Sequence, residues 1–261
     1  MMATLLRKLI DETRSRAPNR PALIGVSGAQ GSGKSYQCKQ FAASNPRVAH
    51  FSLDDVYLTK WERRGIAAAR HPLFRTRSAP GTHDLDLAEL TLKALTSARE
   101  DMITSQPRFN KLRDERAPEG SWPIFRGRPD SILIDGWCLG ALAPEESPPI
   151  NAIERQYDLD GKWRRMVREE LEGRYRRFFA AFDAIVYLKA PSWETVKRWR
   201  AEQEVENLGR ALTPEDHARL DRFMQHYERI TRSMMAGGHC AGWVVELDAG
   251  RRVVRIEGRA Q

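Results

Sequence analysis

The sequence predicts an α/β protein with a mainly parallel sheet covered by helices on both faces, and three observations predict it. Four short apolar segments, at residues 22–27, 47–53, 131–135 and 184–188, are separated by helical or loop stretches, which is the spacing of βαβ units. The first runs directly into Gly28-Ala29-Gln30-Gly31-Ser32-Gly33-Lys34-Ser35, a full G-x-x-x-x-G-K-[ST] loop. Large apolar residues then recur at helical spacing in the second half of the chain.

In chain order, residues 1–12 are amphipathic and carry acids, with no small-residue cleavage site after a long apolar run. They read as a first helix rather than a signal peptide. Residues 35–43 follow the glycine-rich loop and form a helix that Asn45-Pro46 stops. Residues 65–122 are rich in Arg, Pro, His and Gly, with one helical patch at 86–102. A long polar insertion between two core strands is where an acceptor would bind, so it reads as a substrate-binding subregion of a single domain spanning 1–261. Trp163, Met166, Val167, Leu171, Tyr175, Phe178, Phe179 and Phe182 mark one long amphipathic helix over 161–182. Ser192 caps a second helix, running to about residue 207. Thr213-Pro214-Glu215-Asp216 opens a third, which Gly237-Gly238 closes. Its stripe of Leu220, Phe223, Met224, Tyr227, Ile230 and Met234 faces a core. The final pair, 242–247 and 252–256, reads as a hairpin or a strand with a short return.

Composition narrows the function. At 261 residues, 41% hydrophobic and 30% charged, the chain is globular, and no apolar run is long enough to span a membrane. Cys38, Cys138 and Cys240 make neither a disulfide framework nor a C-x-x-C metal site, which points to a reduced, cytoplasmic setting. The net charge of +8 raises nucleic acid as a partner. The basic residues, however, are interspersed with acids and form no stripe with aromatics. A solvated surface and an anionic small-molecule site account for the charge.

The chemistry lies at strand ends. The loop glycines let backbone N–H groups converge on a polyphosphate, and the following helix adds its positive end. Gly28, Gln30, Gly31, Ser32, Gly33, Lys34, Ser35 and Tyr36 are therefore the expected nucleotide contacts. Lys34 reaches the phosphates, and the Ser35 hydroxyl is placed to ligate Mg²⁺. Asp54 and Asp55 end the second strand, at the edge that lines the ligand crevice of an open parallel sheet. Phosphoryl transfer to a hydroxyl needs a carboxylate there, and Asp54 is the expected base. The third strand ends in Asp135-Gly136, which suits a Walker-B-like acid holding a Mg²⁺-bound water.

These motifs, with Ser52-Leu53-Asp54-Asp55-Val56-Tyr57-Leu58-Thr59, Pro80-Gly81-Thr82-His83-Asp84, Pro107-Arg108-Phe109-Asn110-Lys111 and Ile134-Asp135-Gly136-Trp137, resemble the D-glycerate 3-kinase family. That family sits within a wider group of P-loop kinases that includes uridine, pantothenate and phosphoribulo-kinases. The resemblance covers roughly residues 20–235. It implies a P-loop NTPase fold with a doubly wound, five-stranded parallel core, MgATP as donor, and a small-molecule hydroxyl, most simply that of D-glycerate, as acceptor. It implies that Asp55, Tyr57, His83, Asp84, Arg108 and Lys111 bind an anionic hydroxy acid, and that Arg200, in a lid over 192–210, stabilises transferring charge. The family usually has Glu at position 135 and Asp at position 110. Asp135 keeps the charge, whereas Asn110 removes one from the acceptor region and leaves a nucleoside or pantothenate-like alcohol open. A non-catalytic nucleotide-binding module would need neither Asp54 nor Asp135.

Overall fold

The computed structural model describes residues 1–258, so the last three residues of the expected domain lie outside the described residues. Ten strands occur among the described residues: β1 (Ala22–Gly28), β2 (Val48–Ser52), β3 (Ile103–Ser105), β4 (Phe109–Asn110), β5 (Glu115–Arg116), β6 (Ile124–Arg126), β7 (Ser131–Gly136), β8 (Ala184–Lys189), β9 (Trp243–Leu247) and β10 (Val253–Gly258). The main sheet has the order β10-β9-β8-β1-β7-β2. Five of its strands run parallel, as the family resemblance implies. The expected C-terminal pair adds β9 to this parallel set and returns as β10, a sixth and antiparallel edge strand. Small two-stranded ribbons, β3-β6 and β4-β5, lie outside the main sheet.

Strand side chains alternate between two cores, because successive residues point to opposite faces. On β7 and β8, Ile132, Ile134, Ile185 and Tyr187 pack into one cluster, while Leu133, Val186 and Leu188 pack into the other. The second cluster is closed by α1 (Met2–Arg16), α2 (Lys34–Ala43) and α8 (Trp193–Leu208). The first is closed by α4 (Leu85–Thr96), α6 (Lys162–Glu170) and α7 (Arg176–Ala180). The last helix, α9 (Pro214–Met235), contributes to both. No described helix is long and apolar enough to cross a membrane.

Several helix ends follow the capping chemistry in the sequence. Ser192 accepts the Thr195 backbone N–H, and Thr213 and Asp216 form a reciprocal capping box with Pro214 in the first turn. Two expectations are corrected. The helix over 161–182 is continuous but not uniformly α: Leu171–Tyr175 forms a π-turn between α6 and α7. The expected helix over 86–102 stops at Thr96. Its last turn is closed by the Ser97 N–H on the Lys93 carbonyl, and the chain then extends into β3. The 65–122 region packs Leu73, Phe74, Leu85, Leu92 and Leu95 into the first core cluster. A short helix, α3 (Lys60–Ala69), leads into it.

Near α9, one buried ion pair joins distant parts of the chain. Arg229 Nε donates to Glu154 Oε1 at 2.9 Å and its Nη2 to Glu154 Oε2 at 2.6 Å, and the Glu154 carboxylate has no exposed surface. Glu154 belongs to α5 (Ala152–Tyr157), so this bidentate pair pins α5 to α9. Removing one partner strands the other charge. Arg229→Ala is therefore expected to lower unfolding free energy by about 3–5 kcal/mol, read by chemical denaturation. A change below about 1 kcal/mol, the range of an exposed pair, would contradict this account.

Candidate active site

The phosphate-binding loop lies between β1 and α2, and the sheet order places it beside the C-terminal ends of β7 and β8. Its shape is set by Gly31 and Gly33, at φ +74° and +86°. Both lie in the left-handed region, where a side chain is strained. A Cβ on Gly31 would stand 2.6 Å from the Trp199 Cβ, so α8 lies flat against the loop at that point. A second brace comes from the β9–β10 turn. Arg251 Nε donates to the Gly31 carbonyl at 2.6 Å, and its guanidinium lies 5.2 Å from the centroid of the Trp199 ring. Ser32 Oγ and Gln30 Oε1 are buried without protein partners. The loop thus has fixed backbone and unspent polar groups, which suits a bound phosphate chain.

Beside it, three strand ends meet at Asp135. This carboxylate has no exposed surface. It accepts from Ser35 Oγ at 2.5 Å and lies 2.8 Å from His50 Nε2, with Ser52 Oγ at 3.2 Å. Burial alone would raise its pKa. The hydrogen bond and charge of His50, the charge of Lys34 and the Ser35 hydroxyl outweigh burial and hold it below the ordinary value. An ionised oxygen donor bonded to the loop hydroxyl is the donor set magnesium prefers. Among the described residues no group of three His, Cys, Asp or Glu side chains forms a metal site by itself. Ser35 and Asp135 fit a cation that takes its other ligands from phosphate and water.

The loop opens on a cavity of about 470 Å³, with Asp135 buried beneath its Ser35 wall. The loop from Gln30 to Tyr36 forms one wall and α8 residues Arg200, Gln203, Glu204 and Asn207 another. Asp54, Tyr57, Arg77, Lys111, Phe223 and Tyr227 line the remainder. Asp54 sits in the short 3₁₀ turn Leu53–Asp55 after β2, where the Ser52 hydroxyl accepts its backbone N–H. Lys111 Nζ lies 3.2 Å from Asp54 Oδ2. Burial pushes the Asp54 pKa upward, yet the charges of Lys111 and Lys34 overcome this and hold it well below the usual carboxylate range. Five basic side chains (Lys34, Arg77, Lys111, Arg200, Arg251) face three acids (Asp54, Glu204, Glu206) around the cavity, leaving it cationic.

No family model matches the chain. It is 27% identical over 230 residues to "Uncharacterized kinase mug58" of Schizosaccharomyces pombe, covering 83% of this chain and 82% of that one. It is 24% identical to "Probable ATP-dependent kinase TDA10" of Saccharomyces cerevisiae, covering 97% and 94%. The structure superposes on D-glycerate 3-kinase from Cryptococcus neoformans with a TM-score of 0.76 and 20% identity, over 99% of each chain. The chain has the P-loop kinase fold and is an ATP-dependent kinase.

Within this kinase, the expected residues fall into three groups. Gln30, Gly31, Ser32, Gly33, Lys34, Ser35 and Tyr36 line the cavity, together with Asp54, Tyr57, Lys111 and Arg200. Gly28 ends β1 beneath the loop, where a Cβ would stand 2.8 Å from Ser32 Oγ. Asp135 lies buried under Ser35 rather than on the cavity surface. The third group, the expected acceptor residues Asp55, His83, Asp84 and Arg108, is outside the lining of this cavity. Asp84 is the N-cap of α4, accepting the Leu87 N–H, and its other oxygen pairs with Arg116 at 2.8 Å. Asp55 accepts the Phe109 N–H, and Arg108, 46% exposed, pairs with it at 3.7 Å. His83 is buried behind Tyr57, with the two rings stacked at 4.2 Å.

The same contacts assign neighbours that the motifs left open. Asn110 Oδ1 accepts the N–H groups of Leu112 and Arg113, so it shapes the turn that carries Lys111. Arg116 is committed to Asp84 and the Tyr57 carbonyl. Sequence reasoning missed His50, Arg77, Arg251 and the cavity face of Phe223 and Tyr227. The last two were read only as core, because helical periodicity does not say which part of an apolar stripe meets a cavity.

The two left-handed glycines separate strain from contact. Gly33→Ala meets no atom within 4 Å, so it adds only left-handed strain of about 1–2 kcal/mol. Gly31→Ala adds overlap with Trp199 to the same strain. ATP affinity measured by calorimetry is therefore expected to fall further for Gly31→Ala than for Gly33→Ala. Equal losses would contradict the bracing of the loop by α8.

Proposed function

We propose that this kinase transfers the γ-phosphoryl group of ATP to a hydroxyl of a small anionic hydroxy acid, D-glycerate giving 3-phosphoglycerate being the substrate the reading favours. The observation that carries it is Asp54. It is an ionised carboxylate held by Lys111 and Lys34, in the same cavity as the phosphate loop. An acceptor hydroxyl beside it is oriented by its oxygen and gives up its proton to it as the bond to phosphorus forms. A loose transition state makes little demand on base strength before that point, so a depressed pKa is compatible with the role.

The charge of the cavity supports an anionic acceptor. Lys111 pairs with Asp54 and Arg77 lines the same cavity, so both are cations an acceptor carboxylate would meet there. Arg77 is fixed by an ion pair with Asp114 and lies over the Phe223 ring at 5.6 Å, so it is held in place before any ligand arrives. A nucleoside offers no anion for this pair of cations. In this reading Lys34 and the loop N–H groups hold the donor phosphates, and Arg200, 14% exposed and paired with Glu204, lines the same cavity. Magnesium at Ser35 and Asp135 supplies charge neutralisation of the phosphates when bound. The similarity to kinases that include a D-glycerate 3-kinase supports the same acceptor. The free cysteines, two buried and one exposed, suit a reducing cytoplasm.

Asp54→Asn keeps the size and removes the negative charge. Turnover with D-glycerate is expected to fall by about 10²-fold or more, while ATP affinity measured by titration calorimetry stays close to wild type. Wild-type turnover in this variant would overturn the assignment.

A further inference from the structure

Two non-glycine residues have left-handed backbone among the described residues: Arg251, which braces the phosphate loop, and Asp114, in the turn between β4 and β5. Such residues persist where their surroundings over-determine the backbone, and they cluster at functional sites. Asp114, at φ +53°, is gripped from two sides. Arg63, on α3, is 1% exposed, and its Nη2 donates to Asp114 Oδ2 at 2.9 Å and to the Asp114 carbonyl at 3.0 Å. The Nε and Nη1 of Arg63 donate to the carbonyls of Leu58 and Arg75 at 3.1 and 3.3 Å. Arg77 Nη1 donates to the other carboxylate oxygen of Asp114, Oδ1. One carboxylate thus ties α3, the segment that carries Arg75 and Arg77, and the turn that carries Lys111.

We infer that Asp114 is a positioning residue for the acceptor: anchored by the buried Arg63, it holds Arg77 so that the rest of that guanidinium is free to take the acceptor's carboxylate. This deepens the reading of the cavity as a site for an anionic acceptor and rests on it. A buried guanidinium needs a counterion, and Asp114 is the one acid paired with Arg63 among the described residues. Two cations then share one anion, and the trio keeps one positive charge. Of the three, Arg77 is the member that lines the cavity with Asp54 and Lys111. Lys111 spends its charge on Asp54, so the surplus at this end belongs to Arg77.

The rest of the surroundings of Arg77 fit this role. Its guanidinium lies 5.7 Å from the centroid of the Phe109 ring and 5.6 Å from that of Phe223, so aromatic rings flank it. The Tyr227 hydroxyl donates to the Arg77 carbonyl at 3.0 Å and fixes the backbone as well. Asp114 is its only side-chain hydrogen-bond partner among the described residues, through Nη1, and the remaining N–H groups of the fork match a carboxylate. Arg77 would meet the carboxylate of the acceptor and not its reacting hydroxyl. Loss of its position is therefore felt in acceptor binding.

Two measurements test the proposal. ¹⁵N relaxation of the arginine Nε–H groups in the wild-type protein needs neither ligand nor variant. Arg77 is expected to be as ordered as rigid backbone, and an order parameter below about 0.6 overturns the proposal while leaving the anionic-acceptor reading intact. Asp114→Asn keeps the size and tolerates left-handed backbone, so it removes the charge alone. In this variant Arg77 is expected to become mobile. KM for D-glycerate is expected to rise by about tenfold or more, the scale of one charge-assisted hydrogen bond. KM for ATP and kcat stay close to wild type, a split that a merely structural role would not give. In an Arg77→Met background the same change is expected to add little, because Asp114 acts through Arg77. Additive losses, or an unchanged KM for D-glycerate in Asp114→Asn, overturn the proposal. If Asp114→Asn does not fold, Arg77→Lys keeps the charge without the fork and is expected to show the same rise, and a wild-type KM there overturns it. An ordered Arg77 in a wild-type enzyme that phosphorylates only uncharged alcohols would instead overturn the anionic-acceptor reading, and the proposal with it.

Discussion

A single buried carboxylate organises the phosphate end of this kinase. Asp135 has no exposed surface and still remains ionised, because His50, Lys34 and Ser35 surround it with charge and hydrogen bonds. Burying an unpaired charge is far too costly for a fold to tolerate. The partners are therefore a condition of the structure as well as of the chemistry. They come from β2, from the loop after β1 and from the start of α2, so meeting the needs of one side chain fixes the relative positions of the strand ends that form the crevice.

The end proposed for the acceptor is built differently. Its carboxylate, Asp54, is held by charge more than by hydrogen bonds: Lys111 is its only side-chain hydrogen-bond partner among the described residues, while Lys34 acts through space. Around it stand the cations Arg77 and Lys111 and the aromatic rings of Tyr57, Phe223 and Tyr227. The phosphate site is thus rigid and prepaid in hydrogen bonds, and the acceptor site is defined mainly by electrostatic potential.

The legible parts of the sequence were those fixed by local rules. The glycine-rich loop, the β-branched strands and the caps at Ser192 and Thr213 each depend on residues adjacent in the chain, and each lies where its pattern places it. What was not legible depends on distant contacts. His50 is an ordinary strand residue until β7 brings Asp135 beside it. Arg251 reaches the phosphate loop from a turn 220 residues away. Asp84, in a segment that carries the family resemblance, is spent on a helix cap and on Arg116, because a carboxylate at an N-cap position satisfies backbone N–H groups wherever else it is wanted. Motif membership located the loops of the site, but not which side chain in each loop faces the cavity.

The central claim is that a cationic acceptor pocket beside an ionised Asp54 selects an anionic hydroxy acid. The most direct test is ³¹P NMR of the products formed from ATP and magnesium with D-glycerate, uridine and pantothenate offered together. The account predicts a phosphate monoester on D-glycerate with uridine left unmodified. A phosphorylated nucleoside with glycerate untouched would contradict it.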